Sequence, residues 1–230
     1  MNSGLFFLNI MRRISLIIAG LFVLLFPSFS QAQLSVLRDN GTGNPIMTSP
    51  YREVKGSQYF EDFKNGTIYL PNGQKVEGLQ IALNGYEHTL EYKLEGTLYA
   101  YPADKLAGFS YPSESGEILE FTSEFEVPTL SEKRFLRVLE KGEYTLLLHQ
   151  YKIMTDDVMA TYGAQAAKVF QDQEEFFIVK DGEVSLLKSK SKDLQQIFGE
   201  DFEKVNSIIK DQKLNLKSQA DIQKLIKQLN

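Results

Sequence analysis

The chain has no cysteine, no tryptophan and only two histidines in 230 residues. Without cysteine there is no disulfide, no thiolate metal site and no lipid-modified cysteine. Without tryptophan the broadest aromatic platform for a sugar ring is missing. His88 and His149 are the only imidazole bases, and His149 falls in the alternating segment Thr145-x-Leu147-x-His149-x-Tyr151, where a packed or edge position is the ordinary reading. The serine elbow G-x-S-x-G, the zinc motif H-E-x-x-H and a glycine-rich phosphate loop are absent as well. Serine, zinc and nucleotide enzymes are therefore disfavoured, and no catalytic, cofactor-binding or metal-ligating residue is assigned. A glycoside hydrolase needs only two carboxylates, so a carboxylate-dependent hydrolase stays as the alternative of lowest rank.

Charge at the N-terminus is confined to Arg12 and Arg13. An uncharged run, Ile14 to Phe26, follows, then Pro27 and a stretch ending Ser30-Gln31-Ala32. Positive, apolar and small-x-small regions in that order are the pattern of a cleavable secretory signal over residues 1–32. The apolar run falls short of the roughly 20 residues that a helix needs to cross hydrocarbon. Met11-Arg12-Arg13 carries only the arginine pair of a twin-arginine signal, so Sec-type export to the periplasm or beyond is expected, with Met11 as the alternative initiator to Met1. Cleavage removes both arginines and no acid, leaving 23 basic and 30 acidic residues. That sign invites neither nucleic acid nor an anionic membrane. The remaining length is enough to bury about 70% of the unfolded surface without staples.

Residues 33–55 are rich in Asn, Gly, Thr, Ser and Pro and read as a loop or flexible leader. Residues 56–128 alternate with period two around glycine turns, as in Thr67–Leu70 and Lys75–Glu77 flanking Asn72-Gly73, or Leu90–Leu94 and Thr97–Tyr101 flanking Glu95-Gly96. An antiparallel meander or small barrel is expected, and Leu70-x-x-Gly73-x-x-x-x-Gly78 has the spacing of strongly bent small barrels. Tyr69, Tyr92, Tyr99 and Tyr101 fit half-buried sheet packing. Ile118 to Pro128 reads as one strand with Glu120, Glu124 and Glu126 on one face; a hard cation such as calcium is conceivable there, but no tight loop is present and a solvated face is preferred.

Residues 129–188 hold two similar hairpins, Val138–Leu147 and Ile178–Leu187, which imply a four-stranded sheet. Gly182 is expected at positive φ. Between them, Met154 to Gln173 shows no sustained strand pattern and reads as a flexible flap or a short helix, the kind of insert where function often sits. Over residues 189–230 the period changes to three and four, through Leu194, Ile197, Phe198, Phe202, Val205, Ile208, Ile209, Ile222, Leu225, Ile226 and Leu229. Three short amphipathic helices are expected, the first capped by Ser191 and the last by a Ser218–Asp221 capping box. The fold class is α+β.

Gly56-Ser57-x-Tyr59-Phe60, Gly66-Thr67-Ile68-Tyr69-Leu70-x-Asn72-Gly73 and Lys192-Asp193-Leu194 through Lys213-Leu214-Asn215-Leu216-Lys217 resemble a family of exported proteins of Bacteroidetes that carries no assigned activity. The likeness spans most of residues 56–230. It implies a compartment and an architecture, with no cofactor, and leaves residues 154–173 unassigned. The expected function is a non-catalytic interaction module of the cell envelope whose partner is another exported protein. The alternatives are a carrier of a small apolar ligand or glycan and the hydrolase already named.

Overall fold

A computed structural model describes Tyr51, residues 54–157 and residues 168–230. The expected signal, nearly all of the leader and the middle of the insert lie outside the described residues. The rest is α+β. Strands β1 (Val54–Lys55), β2 (Lys64–Tyr69), β3 (Lys75–Asn84), β4 (Thr89–Leu94), β5 (Thr97–Pro102), β6 (Gly108–Pro112), β7 (Ile118–Thr122), β8 (Leu136–Glu140), β9 (Thr145–Asp156), β10 (Lys168–Lys180) and β11 (Glu183–Leu186) precede helices α1 (Ser191–Phe198), α2 (Phe202–Gln212) and α3 (Gln219–Leu229). The strands form one sheet in the order β1-β10-β9-β8-β7-β6-β2-β3-β4-β5, with β11 also on β10. The expected meander and the expected hairpin sheet are thus successive parts of one sheet, joined where β7 pairs β8 through Phe121–Arg137 and Thr122–Leu136. All pairings are antiparallel except β1 with β10.

Turn chemistry sets the register. Glu95-Gly96 (φ 50° and 79°) and Asp181-Gly182 (φ 52° and 82°) take positive φ at both corners, as a two-residue hairpin requires. Asn72-Gly73 is built differently. Pro71 pre-sets the first corner of a turn closed by Gly73 N–H to Leu70 O (2.9 Å), so the left-handed residue falls later, at Gly73. Gly78 (φ 78°) is the extra residue of a bulge, since Gly66 faces Leu79 while Thr67 faces Glu77. A residue with a Cβ is strained there, and the bulge bends β3.

The bend brings the end of β3 back towards β9. Gly85 O accepts Lys152 N–H (2.9 Å), Gly85 N–H donates to Gln58 O (2.9 Å), and Tyr59 bridges Asn84. Inside the curve, Ile68, Ile81, Leu90 and Phe109 are fully buried with Tyr92 and Phe121. A second core lies between the sheet and the helices, where Leu146, Leu148 and Ile178 meet Phe198, Val205, Ile222, Leu225 and Ile226. A third, on the opposite face, gathers Val127, Leu136, Leu147, Phe177 and Val179. Both faces of β9 and β10 are therefore covered at this level. This is why Leu146-Leu147-Leu148 and Phe176–Val179 are continuous apolar runs rather than alternating ones.

Three expectations need correction. The strand expected over Ile118–Pro128 ends at Thr122, because Ser123 turns inward, its N–H bonding Ala107 O (3.0 Å) and its hydroxyl Leu106 O (2.5 Å). Glu120 is paired with Lys141 at 2.7 Å, while Glu124 and Glu126 lie in the loop beyond, so the three acids share no strand face. The flap or helix expected over 154–173 is strand at both ends: β9 runs to Asp156 and β10 starts at Lys168, paired continuously from Lys168–Asp156 to Val179–Thr145. Polar residues such as Gln171, Asp172, Gln173 and Glu174 hid the pattern, since a solvated ladder needs no apolar alternation. Lastly, Ser191 does not cap α1. The N-cap is Lys190, which makes no side-chain cap bond, whereas Ser218 accepts the Asp221 N–H as expected and Asp221 reaches back to Asn215 N–H (2.9 Å) instead of completing the box.

Polar clasps seat the helices. The Tyr144 hydroxyl donates to Asp201 Oδ2 (2.6 Å) and accepts from Lys180 Nζ (2.6 Å). Asn230 accepts Tyr144 N–H (2.8 Å) and donates to Tyr144 O (3.1 Å). Gly142 permits this approach: a Cβ there would sit 2.3 Å from the Asn230 side chain.

Candidate functional site

The two histidines, far apart in sequence, meet where the β3–β4 turn crosses β9. Their ring centroids are 5.9 Å apart, and Tyr151 stacks on His149 at 4.8 Å. His149 is 3% exposed and neither of its ring nitrogens has a hydrogen-bond partner among the described residues; Glu175 Oε2 lies 3.5 Å from Nδ1. Burial pushes both imidazoles down to about 4, with the nearby Arg134 guanidinium pushing the same way. Both rings are therefore neutral at pH 7.

A buried polar network holds the turn that carries His88. Asn84, fully buried, accepts N–H bonds from Tyr86 (3.1 Å) and Glu87 (2.9 Å) on Oδ1 and donates to Glu91 Oε1 (2.6 Å). Tyr59 donates to Glu91 Oε2 (2.5 Å). Glu91 is 0% exposed, and burial raises its carboxyl above the ordinary range despite the two donors. His88 itself sits at φ 57°, a left-handed position that the network over-determines.

A nucleophile–base pair needs a hydroxyl or thiol within hydrogen-bond reach of the imidazole, and His149 has no such bond among the described residues. No three His, Asp or Glu side chains among the described residues converge to hold a metal ion. The void lined by His88, His149, Arg134 and Asn84 is about 10 Å³, room for about one water at most. Glu91 is sealed from solvent. The arrangement joins the β3–β4 turn to β9.

Beyond Leu148, where β8 ends its pairing, β9 and β10 continue as an arm held on one side by Gly85 O at Lys152 and on the other by β1 at Lys168–Val169. On one face lie Gln150, Lys152 and Met154 opposite Glu174, Asp172 and Phe170. Lys152 pairs with Asp172 (2.5 Å) and lies over the Phe60 ring, and Phe170 packs edge-on against Tyr51 and Tyr86. The other face carries Tyr151 and Ile153 opposite Gln173 and Gln171 and is open. Ile153 is 37% exposed and, with Ile118 at 62%, is one of two large apolar side chains left exposed among the described residues. At the base of the arm a surface concavity of about 560 Å³ opens between Glu174, Phe176, Leu187, Lys188, Lys190 and Lys217. A second, of about 630 Å³, lies under the loop with Glu126, Pro128, Glu132 and Glu183. Charged side chains line both.

The sequence placed His149 on a strand, where it lies, and marked the 154–173 segment as the unexplained stretch. It held no sign that His88 and His149 meet, because that contact depends on the β3 bulge. Of the tyrosines singled out, Tyr92 and Tyr101 are buried and stacked at 5.3 Å, whereas Tyr69 and Tyr99 are half-buried, so none of the four forms an exposed sugar platform. No family model, no curated protein and no solved structure matches the chain.

Proposed function

We propose that the chain is an exported, non-catalytic interaction module of the cell envelope that engages another exported protein through the β9–β10 arm. The observation that carries this reading is the open arm face, where Tyr151 and Ile153 stand beside Gln171 and Gln173 on a ladder that outruns its neighbours. Amphipathic aromatic and aliphatic side chains on a rigid element are typical contact residues. The compartment rests on the order of Arg12-Arg13, Ile14–Phe26 and Ser30-Gln31-Ala32 and on the likeness to exported Bacteroidetes proteins. Intact mass of envelope protein tests it: a chain starting at Gln33 agrees, and one retaining residues 1–32 does not.

Carriage of an apolar ligand is less favoured because side chains fill the inside of the curve and both larger concavities are open to the surface with Lys and Glu among their apolar lining residues. A carboxylate hydrolase is less favoured because the carboxyl with the raised pKa, Glu91, is sealed. A photo-crosslinking amino acid placed at position 153 in the native cell tests the interaction reading. The expected result is one exported protein crosslinked from 153 and not from 118. Crosslinks only from 118, or none, would overturn it.

A further inference from the structure

Building on the interaction-module reading, we propose that the outer edge of β10 between Phe170 and Phe176 receives an extended, lysine- or arginine-bearing segment of another exported protein as an added strand. Among the described residues the edge is paired at both ends and unpaired in the middle. β1 pairs Lys168 and Val169, β11 pairs Phe177 to Lys180, and Leu187 N–H reaches Phe176 O (2.8 Å). Past Leu187 the chain turns off through Lys188–Lys190 into α1, leaving the continuation of β11's track open. The bare stretch is about 20 Å long at the rise of a strand.

Alternation fixes which backbone groups it offers. Lys180 and Glu183 close the two-residue turn, so even-numbered residues of β10 face the β11 side and odd-numbered ones face β9. The register with β9 is unbroken from Lys168 to Val179, so this parity holds along the strand. Asp172 and Glu174 therefore present N–H and C=O outward, with no backbone partner among the described residues. The edge carries neither a proline nor a bulge, two of the devices that discourage pairing.

Charge selects the occupant. The stretch Gln171-Asp172-Gln173-Glu174-Glu175 has three acids and no base, and the chain is acidic overall at −5. A second copy of this edge would set acid against acid, which is unfavourable for directly opposed strand residues; Asp172 is already paired with Lys152, so an incoming Lys or Arg is drawn chiefly to Glu174, whose carboxylate meets only the neutral Gln150 amide among the described residues. The concavity at the foot of the track gives the segment room to leave the sheet, and because Lys188, Lys190 and Lys217 stand there with Glu174 and Asp193, the basic residues of the segment belong beside β10 and not in the concavity. Strand addition of this kind draws affinity from main-chain bonds and specificity from alternate side chains.

The test uses the full mature chain and an acetylated, amidated peptide Lys-Val-Lys-Thr-Lys-Val, followed by amide NMR and hydrogen exchange. Saturating peptide should raise protection of the Asp172 and Glu174 amides at least tenfold while Gln171 and Gln173, already bonded to β9, stay unchanged. Glu174→Pro removes one outward donor together with the carboxylate bonded to Gln150, so it is compared with Glu174→Gln, which keeps the donor; the proline variant should bind at least tenfold more weakly than the glutamine variant at a matched melting point. The same peptide N-methylated at alternate residues keeps its charge and should bind at least tenfold more weakly. Unchanged protection at millimolar peptide, or equal binding by the N-methylated peptide, or equal binding by Glu174→Pro and Glu174→Gln, would overturn the proposal. If these fail while crosslinking from position 153 persists, the slot falls and the interaction module stands.

Discussion

His88 and His149, the only histidines in the chain, face each other at 5.9 Å across the joint where the β3–β4 turn meets β9. Next to them Lys152 N–H bonds Gly85 O, so the imidazole pair and the backbone closure belong to one contact.

Both folded-state pKa values, about 4, lie below the ordinary 6.5, so between pH 6.5 and 4 the unfolded chain binds protons that the folded chain refuses. Stability therefore falls as pH drops through that window. For the buried His149 the loss between pH 7 and 5 is on the order of 1–2 kcal/mol. His88 is more exposed and contributes less. Glu91, with its pKa raised, has the opposite slope, since the folded state holds its proton more tightly as pH falls towards the ordinary carboxyl range. Urea midpoints of wild type and His149→Phe at the two pH values separate these effects. The variant should lose most of the histidine slope and keep the opposing one.

Asn84 is expected to be the costliest polar position near the joint. Asn84→Ala strips a partner from Glu91 and leaves the Tyr86 and Glu87 amides unsatisfied in a part-buried turn. A loss of about 2–4 kcal/mol follows from uncompensated buried groups, read by chemical denaturation. The His88 ring resonances should move in the same variant, because the turn that presents them is released.

At Gly142 a methyl group would meet the Asn230 side chain, which would have to give up its bonds to Tyr144. Gly142→Ala should cost about 1 kcal/mol. Asn230→Ala should cost a similar amount, and the double variant little more than either alone. Additive losses in a double-mutant cycle would place the cost elsewhere.

Much of the architecture was readable from residue pattern. Glu95-Gly96 and Asp181-Gly182 marked two-residue turns, and the three- and four-residue spacing of Ile222, Leu225, Ile226 and Leu229 marked α3. What escaped depends on contacts distant in sequence. Polar residues on β10 concealed a strand, since Asp172 is balanced by Lys152 across the ladder rather than by an apolar face. Ser123 ended β7 by bonding Leu106 and Ala107, partners no local pattern announces. The histidine pair needed the bend at Gly78 to bring residues 88 and 149 together.

The proposed role of the open face of the β9–β10 arm is to bind an exported partner. Quantitative capture from the native envelope with wild type, Ile153→Asp and Ile118→Asp tests it most directly, each variant first matched to wild type in melting temperature. A surface charge at either position should shift stability by no more than about 0.5 kcal/mol. Ile153→Asp should lose at least tenfold of the captured partner, about 1.4 kcal/mol of binding, while Ile118→Asp retains it. Equal capture by Ile153→Asp and wild type would show that the open arm face does not hold the partner.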